Sequence, residues 1–116
     1  MNHETIVNHL KALTINGVHQ AQSGHPGGAL SSFDFAYTLF SEFLRYDPRD
    51  PQWQGRDRFV LSAGHESMLI YSLLFALDWL KEEDLQNFRQ LGSRTPGHPE
   101  NHITPGIECT TGPLGQ

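Results

Sequence analysis

Three features of this 116-residue chain together predict an α/β fold. Arg58-Phe59-Val60-Leu61 is a short apolar run suited to a buried strand, and Ser62-Ala63-Gly64-His65 follows it at once, before a helical pattern that begins near Glu66. Strand, glycine-bearing turn and helix, in that order, form a ligand-binding arrangement of α/β sheets. Ile107 to Thr110 reads as a second short strand. Around both lie segments with apolar residues at helical spacing, which need a partner layer to bury them.

The elements follow in order. Residues 4–21 place Ile6, Leu10 and Leu13 on one face of an amphipathic helix that must stop by Ser23-Gly24. A second helix is predicted from about Ser32 to Arg45. Phe35, Ala36, Leu39, Phe40, Phe43 and Leu44 form its apolar stripe, and Asp34 lies in its first turn, where the dipole favours an acid. Asp47-Pro48-Arg49-Asp50-Pro51 enforces an irregular connection, because residues before proline avoid the α region. A third helix is predicted from Glu66 to Leu80, and a fourth over 82–91 with Leu85, Phe88 and Leu91 on one side. Gly92 to Gly106 is rich in Pro and Gly and reads as an ordered loop. One or two strands give these helices too little sheet to pack on. Residues 1–116 are therefore expected to be the opening, incomplete piece of a larger α/β domain.

Composition narrows the function classes. A hydrophobic content of 37% supplies a core, and a net charge of −5 argues against a nucleic-acid or anionic-membrane partner. The lone Cys109 makes no internal disulfide, which fits a reducing compartment. Met1-Asn2-His3-Glu4 shows no signal-peptide pattern, and the stretch from Met68 to Leu80 falls short of the roughly 20 apolar residues that span a bilayer. A cytoplasmic location is expected.

The chemistry-bearing feature is histidine on glycine- and proline-rich loops: Ser23-Gly24-His25-Pro26-Gly27, Ser62-Ala63-Gly64-His65 and Pro96-Gly97-His98-Pro99. Glycine permits close backbone approach, proline fixes φ near about −65°, and imidazole titrates near neutrality. Singly, each histidine also fits a solvated turn. Arg94 reads more readily as a solvated charge or a structural ion pair than as an active-site cation. His98, His102 and Cys109 are weak as a zinc site, since structural zinc takes four N/S ligands at short paired spacings. Phosphate-loop, dinucleotide-loop and nucleophile-elbow patterns are absent.

In order, Ser23 to Gly27, Arg56-Asp57-Arg58-Phe59-Val60-Leu61-Ser62 with Gly64-His65, the run from Phe88 to Glu100, and Thr110-Thr111-Gly112-Pro113-Leu114-Gly115-Gln116 resemble the N-terminal region of transketolases. The resemblance covers the chain from about residue 5 onward. It implies a three-layer α/β/α thiamine diphosphate-binding fold and transfer of a two-carbon ketol unit between sugar phosphates. It further implies that His25 and His98 contact substrate oxygens and assist proton transfer, and that His65 lies against the cofactor near its diphosphate. Gly112, Pro113 and Leu114 would line the cofactor pocket. Gly28-Ala29-Leu30-Ser31-Ser32, Ala63 and a longer Asn101–Pro105 connection depart from the common pattern, as in a divergent branch. The family's Mg²⁺ motif, its activating glutamate and its phosphate-binding residues match nothing in this chain. The chain alone is therefore expected to be inactive, completed by the remainder of the enzyme or a partner subunit and by homodimerisation. A deoxyxylulose-phosphate synthase is the alternative enzyme, although the Arg94–His98 run argues against it. A non-catalytic remnant is the alternative outside enzymes.

Overall fold

The computed structural model describes residues 1–113, and helices, turns and irregular chain make up what is described. Helix α1, His3–Ala21, begins where the Asn2 side chain accepts from the Thr5 amide at 2.8 Å, and it ends where Gln22 turns left-handed at φ 53°. Val7, Leu10, Thr14 and Gly17 are its buried residues, whereas Ile6 and Leu13 are only partly buried. The face is thus rotated about one position from the predicted one. Gly17 explains how closely α1 approaches its neighbour: a methyl there would sit 2.6 Å from Met68 Cε.

Helix α2 is Pro26–Thr38, six residues earlier at its start than the spacing predicted. Pro26 is the reason, because at the first helical position its fixed φ is already helical and its missing N–H costs no bond. Pro26, Gly27 and Gly28 therefore form a helical turn, and His25 stands at the N-cap position with no capping bond from its side chain. At its other end α2 widens into a π turn, Leu39–Phe43, closed by the Leu44 amide on Leu39 O at 2.9 Å. Phe40 points inward, its ring 5.0 Å from Phe59. The predicted stripe splits, with Ala29, Phe33 and Ala36 buried but Phe35 and Phe43 73% and 69% exposed.

A 3₁₀ turn, Gly64–Glu66, leads into helix α3, Ser67–Ala76, in which every residue from Ser67 to Leu74 is buried. α3 is the central helix. One side joins Val7, Leu10, Phe33 and Ala36 through Leu69 and Leu73; the other joins Leu80, Leu85 and Phe88 through Ile70, Tyr71 and Leu74. Each large apolar side chain buried this way contributes roughly 1.5–3 kcal/mol. Where α3 meets α1, Thr14 Oγ1 and Ser72 Oγ bond at 3.0 Å and satisfy each other's buried hydroxyl. α3 stops short of the predicted Leu80 because Asp78 is left-handed at φ 64° and the Trp79 amide turns back to Leu74 O. Helix α4 is only Glu82–Gln86, not 82–91. Arg89 breaks it at φ 62°, donating its amide to Thr95 O at 3.0 Å, so Leu91 is fully exposed while Phe88 stays buried.

Neither predicted strand forms a ladder among the described residues. The lone β contact is an isolated Asp47–Asp50 bridge. The α/β architecture is therefore not seen here, and 58–61 and 107–110 are irregular segments. A strand is defined by its hydrogen-bonded neighbour, and these two segments do not pair with each other. Phe59, Leu61 and Ile107 still pack against the core as expected, while Val60 is 47% exposed.

Candidate functional site

Two helix starts meet at the site. His25 stands at the N-cap position of α2, and His65 in the turn that opens α3; their rings lie 5.4 Å apart and nearly perpendicular, at 89°. The contact is held by close packing between the two turns. The Glu66 carboxylate occupies the space that a side chain on residue 28 would take, so the two turns approach closely across Gly28. Both imidazoles are exposed on a polar face.

His98 comes from the loop after α4. α3 holds that loop by two side chains one turn apart: Ser67 Oγ donates to Gly97 O at 2.7 Å, and Tyr71 OH donates to Pro96 O at 2.6 Å. Burial pushes the Tyr71 phenol pKa up, and the nearby Glu100 carboxylate adds to the rise, so this hydroxyl stays a donor. Two buried threonines brace the same loop, Thr95 Oγ1 donating to Asp84 O and Thr104 Oγ1 to Arg94 O, each at 2.6 Å. The His98 ring lies against the Cα of Gly112, where any β-carbon would collide with it. Gly112 adopts φ 113°, a conformation that L side chains rarely adopt. Its backbone in turn abuts Gly64, whose own β-carbon would sit 2.6 Å from Gly112 N.

The structure therefore brings the three predicted histidines to one place. His25 touches His65 directly, and His98 reaches Gly64, the neighbour of His65, through Gly112. Pro113 is exposed beside Gly112, and Leu114 lies outside the described residues. A cavity of about 680 Å³ opens at this loop, lined by Arg89, Ser93, Gly97, His98, Glu100 and Ile103. Thr111 Oγ1, next to Gly112, is buried with no hydrogen-bond partner among the described residues. Gly64 and Gly112 pack backbone to backbone beneath His98, with this orphaned hydroxyl beside them.

Sequence reasoning missed Glu66, Ser67, Tyr71 and Thr111. The spacing of Ser67 and Tyr71 is the one signal that points to such a role, since i and i+4 share a helix face. Arg94 is a structural cation, 3.4 Å from Asp84. His102 pairs with Glu100 at 3.4 Å, Cys109 is exposed, and no three potential metal ligands converge among the described residues. No helix of the described residues is long and apolar enough to cross a membrane.

Comparison with known proteins identifies the family. Residues 2–116 match the family described as transketolase, thiamine diphosphate binding domain. The chain is 56% identical over 112 residues to transketolase-1, chloroplastic, of Arabidopsis thaliana, covering 95% of this chain and 15% of that protein. It is 52% identical over 117 residues to transketolase 2 of Escherichia coli, covering 100% of this chain and 18% of that protein. Among solved structures, transketolase from Leishmania mexicana superposes with a TM-score of 0.91 at 44% identity, over 99% of this chain and 17% of that one. The chain spans less than a fifth of the length of these relatives, and it belongs to the transketolase family as part of the thiamine diphosphate binding domain.

Proposed function

We propose that this chain forms one wall of the active site of a transketolase that moves a two-carbon ketol unit between sugar phosphates. The observation that carries the reading is the linked cluster of His25 on His65, Gly64 on Gly112, and Gly112 under His98. The residues suit thiamine diphosphate. The Thr111 hydroxyl beside Gly112 is buried with no partner among the described residues, a polar group that a bound cofactor would meet. In this reading His65 faces the diphosphate, and Gly112, Pro113 and Leu114 line the cofactor pocket. When bound, thiamine diphosphate supplies the nucleophilic carbon and the electron sink that ketose cleavage requires.

His25 and His98 then act on the sugar. Each imidazole can donate to one hydroxyl and accept from another, and each can carry a proton to or from a substrate oxygen. Ser67 and Tyr71 fix the loop that presents His98. The diphosphate and Mg²⁺ need positive charge and metal ligands, and these are assigned to the remainder of the enzyme. Three-layer α/β/α architecture, a homodimer, and a cytoplasmic setting complete the reading, although plant relatives carry chloroplastic names.

The test is a chimera in which this chain replaces the matching segment of the Escherichia coli enzyme, assayed for ketol transfer. Activity is expected, with His25→Ala and His98→Ala each lowering kcat/KM by roughly 10²–10⁴-fold. A folded chimera without activity, or full activity in both variants, overturns the reading. The chain by itself is expected to show no micromolar affinity for thiamine diphosphate with Mg²⁺ by calorimetry.

A further inference from the structure

We infer that Arg56 and Glu108 are a positioning pair, setting the register between the segment that ends in Gly64–His65 and the segment that ends in Gly112. Arg56 Nε donates to Glu108 Oε1 at 2.7 Å and Nη2 donates to Oε2 at 3.0 Å, a two-pronged contact across 52 positions of sequence. The third guanidinium nitrogen, Nη1, donates to Trp53 O at 2.9 Å. The two side chains are only 10% and 16% exposed. A planar guanidinium facing a carboxylate this way is directional in a manner that a point charge is not.

The pair matters because nothing else of comparable direction joins these segments. No backbone hydrogen bond links 57–63 to 107–112 among the described residues. Phe59, Leu61 and Ile107 pack against the same core cluster, but apolar burial is non-directional and does not choose between registers. The two segments are thus pinned at one end by Arg56–Glu108 and at the other by the close approach of Gly64 to Gly112. Glu108 stands four residues before Gly112, and Arg56 eight before Gly64. A slip of either segment by one residue would carry Gly112 off Gly64, while the Thr111 amide on Pro99 O at 3.2 Å separately ties Gly112 to the His98 loop. Neither residue touches the histidines, so the pair acts through the glycines it aligns.

The geometry is independent of the proposed function, but the catalytic consequence rests on it, so two readouts are needed. In the isotope-labelled 116-residue chain, the nuclear Overhauser contact between Gly64 Hα and the Gly112 amide reports the register directly. Glu108→Gln, which keeps size but removes charge, is expected to abolish that contact while helical circular dichroism is retained. Arg56→Lys, which keeps charge but not the fork, is expected to weaken it. In the chimera, Glu108→Gln is expected to raise the cofactor KM on the order of tenfold or more, with kcat at saturating cofactor little changed, as displaced positioning predicts. A merely structural role would lower the amount of folded enzyme and leave that KM alone. An unaltered Gly64–Gly112 contact with a parental cofactor KM overturns the inference, and so does loss of the whole fold in both variants. An inactive parent chimera overturns the proposed function instead, and the Overhauser contact then decides the positioning role alone.

Discussion

At the scale of single residues, the candidate site is built on close approach to glycine backbone. Gly112 combines φ 113° with a ring stacked on its Cα, so Gly112→Ala faces both a strained backbone and a collision with His98. The strain alone is worth on the order of 1–3 kcal/mol. The variant is expected to unfold at lower urea and to shift the His98 ring resonances while those of distant α1 stay put. An unfolding midpoint and His98 signals equal to the parent's would show that the glycine is ordinary. The three histidines were legible in the sequence because Gly and Pro neighbours mark loops that hold a fixed shape. Tyr71 was not, and for a physical reason: its hydroxyl meets Pro96 O 25 positions away, so in sequence it looks only like a polar break in an apolar run. Glu66 was hidden in the same way, since its significance lies in the space left by Gly28 on another helix.

Among the elements, helices were readable and their ends were not. Apolar periodicity found all four, but α2 starts at Pro26 and α4 stops before Arg89 because of local φ values that periodicity ignores. The strands failed for a different reason. Apolar β-favouring runs at 58–61 and 107–110 need a hydrogen-bonded neighbour, and pairing is a property of two segments that a local pattern cannot state. Between elements, α1 and α2 are tied by Lys11 and Asp34 at 2.5 Å. The hydrogen bond from Lys11 holds the Asp34 carboxyl below the usual aspartate range, with the opposed desolvation and the Coulombic pull of Lys11 next in size. A carboxyl whose pKa is lowered in the folded state binds its proton more readily in the unfolded one. Its contribution is therefore full above about pH 4 and is lost as pH falls through the folded value. Asp34→Asn is expected to remove that part of the acid dependence and to leave the dependence near neutrality unchanged, as read from urea melts across pH. Parallel stability curves for the two proteins below pH 4 would show that the tie contributes nothing, the usual result for many exposed pairs.

The whole molecule shows what its own core leaves uncovered. Phe35 on α2 and Phe43 in the π turn that follows it are 73% and 69% exposed, and with Thr38 and Leu39 they line an apolar recess of about 260 Å³. An isolated exposed phenylalanine is unremarkable, but two around one recess form a contiguous apolar patch. Relatives in the family carry several times more chain than the part matched here, and among the described residues nothing covers this face. The net charge of −5 opposes association only weakly, because it is screened over about 10 Å at ordinary salt. Hydrophobic burial on that face should then win, and the purified chain is expected to self-associate as its concentration rises. Replacing both aromatics, Phe35→Ser with Phe43→Ser, is expected to shift the sedimentation distribution toward monomer. Neither side chain belongs to the buried core, so thermal stability should change little. A parent chain that stays monomeric and melts cooperatively at every concentration would mean that the patch is not a driving surface. It would also count against reading this fold as one that requires more chain to cover it.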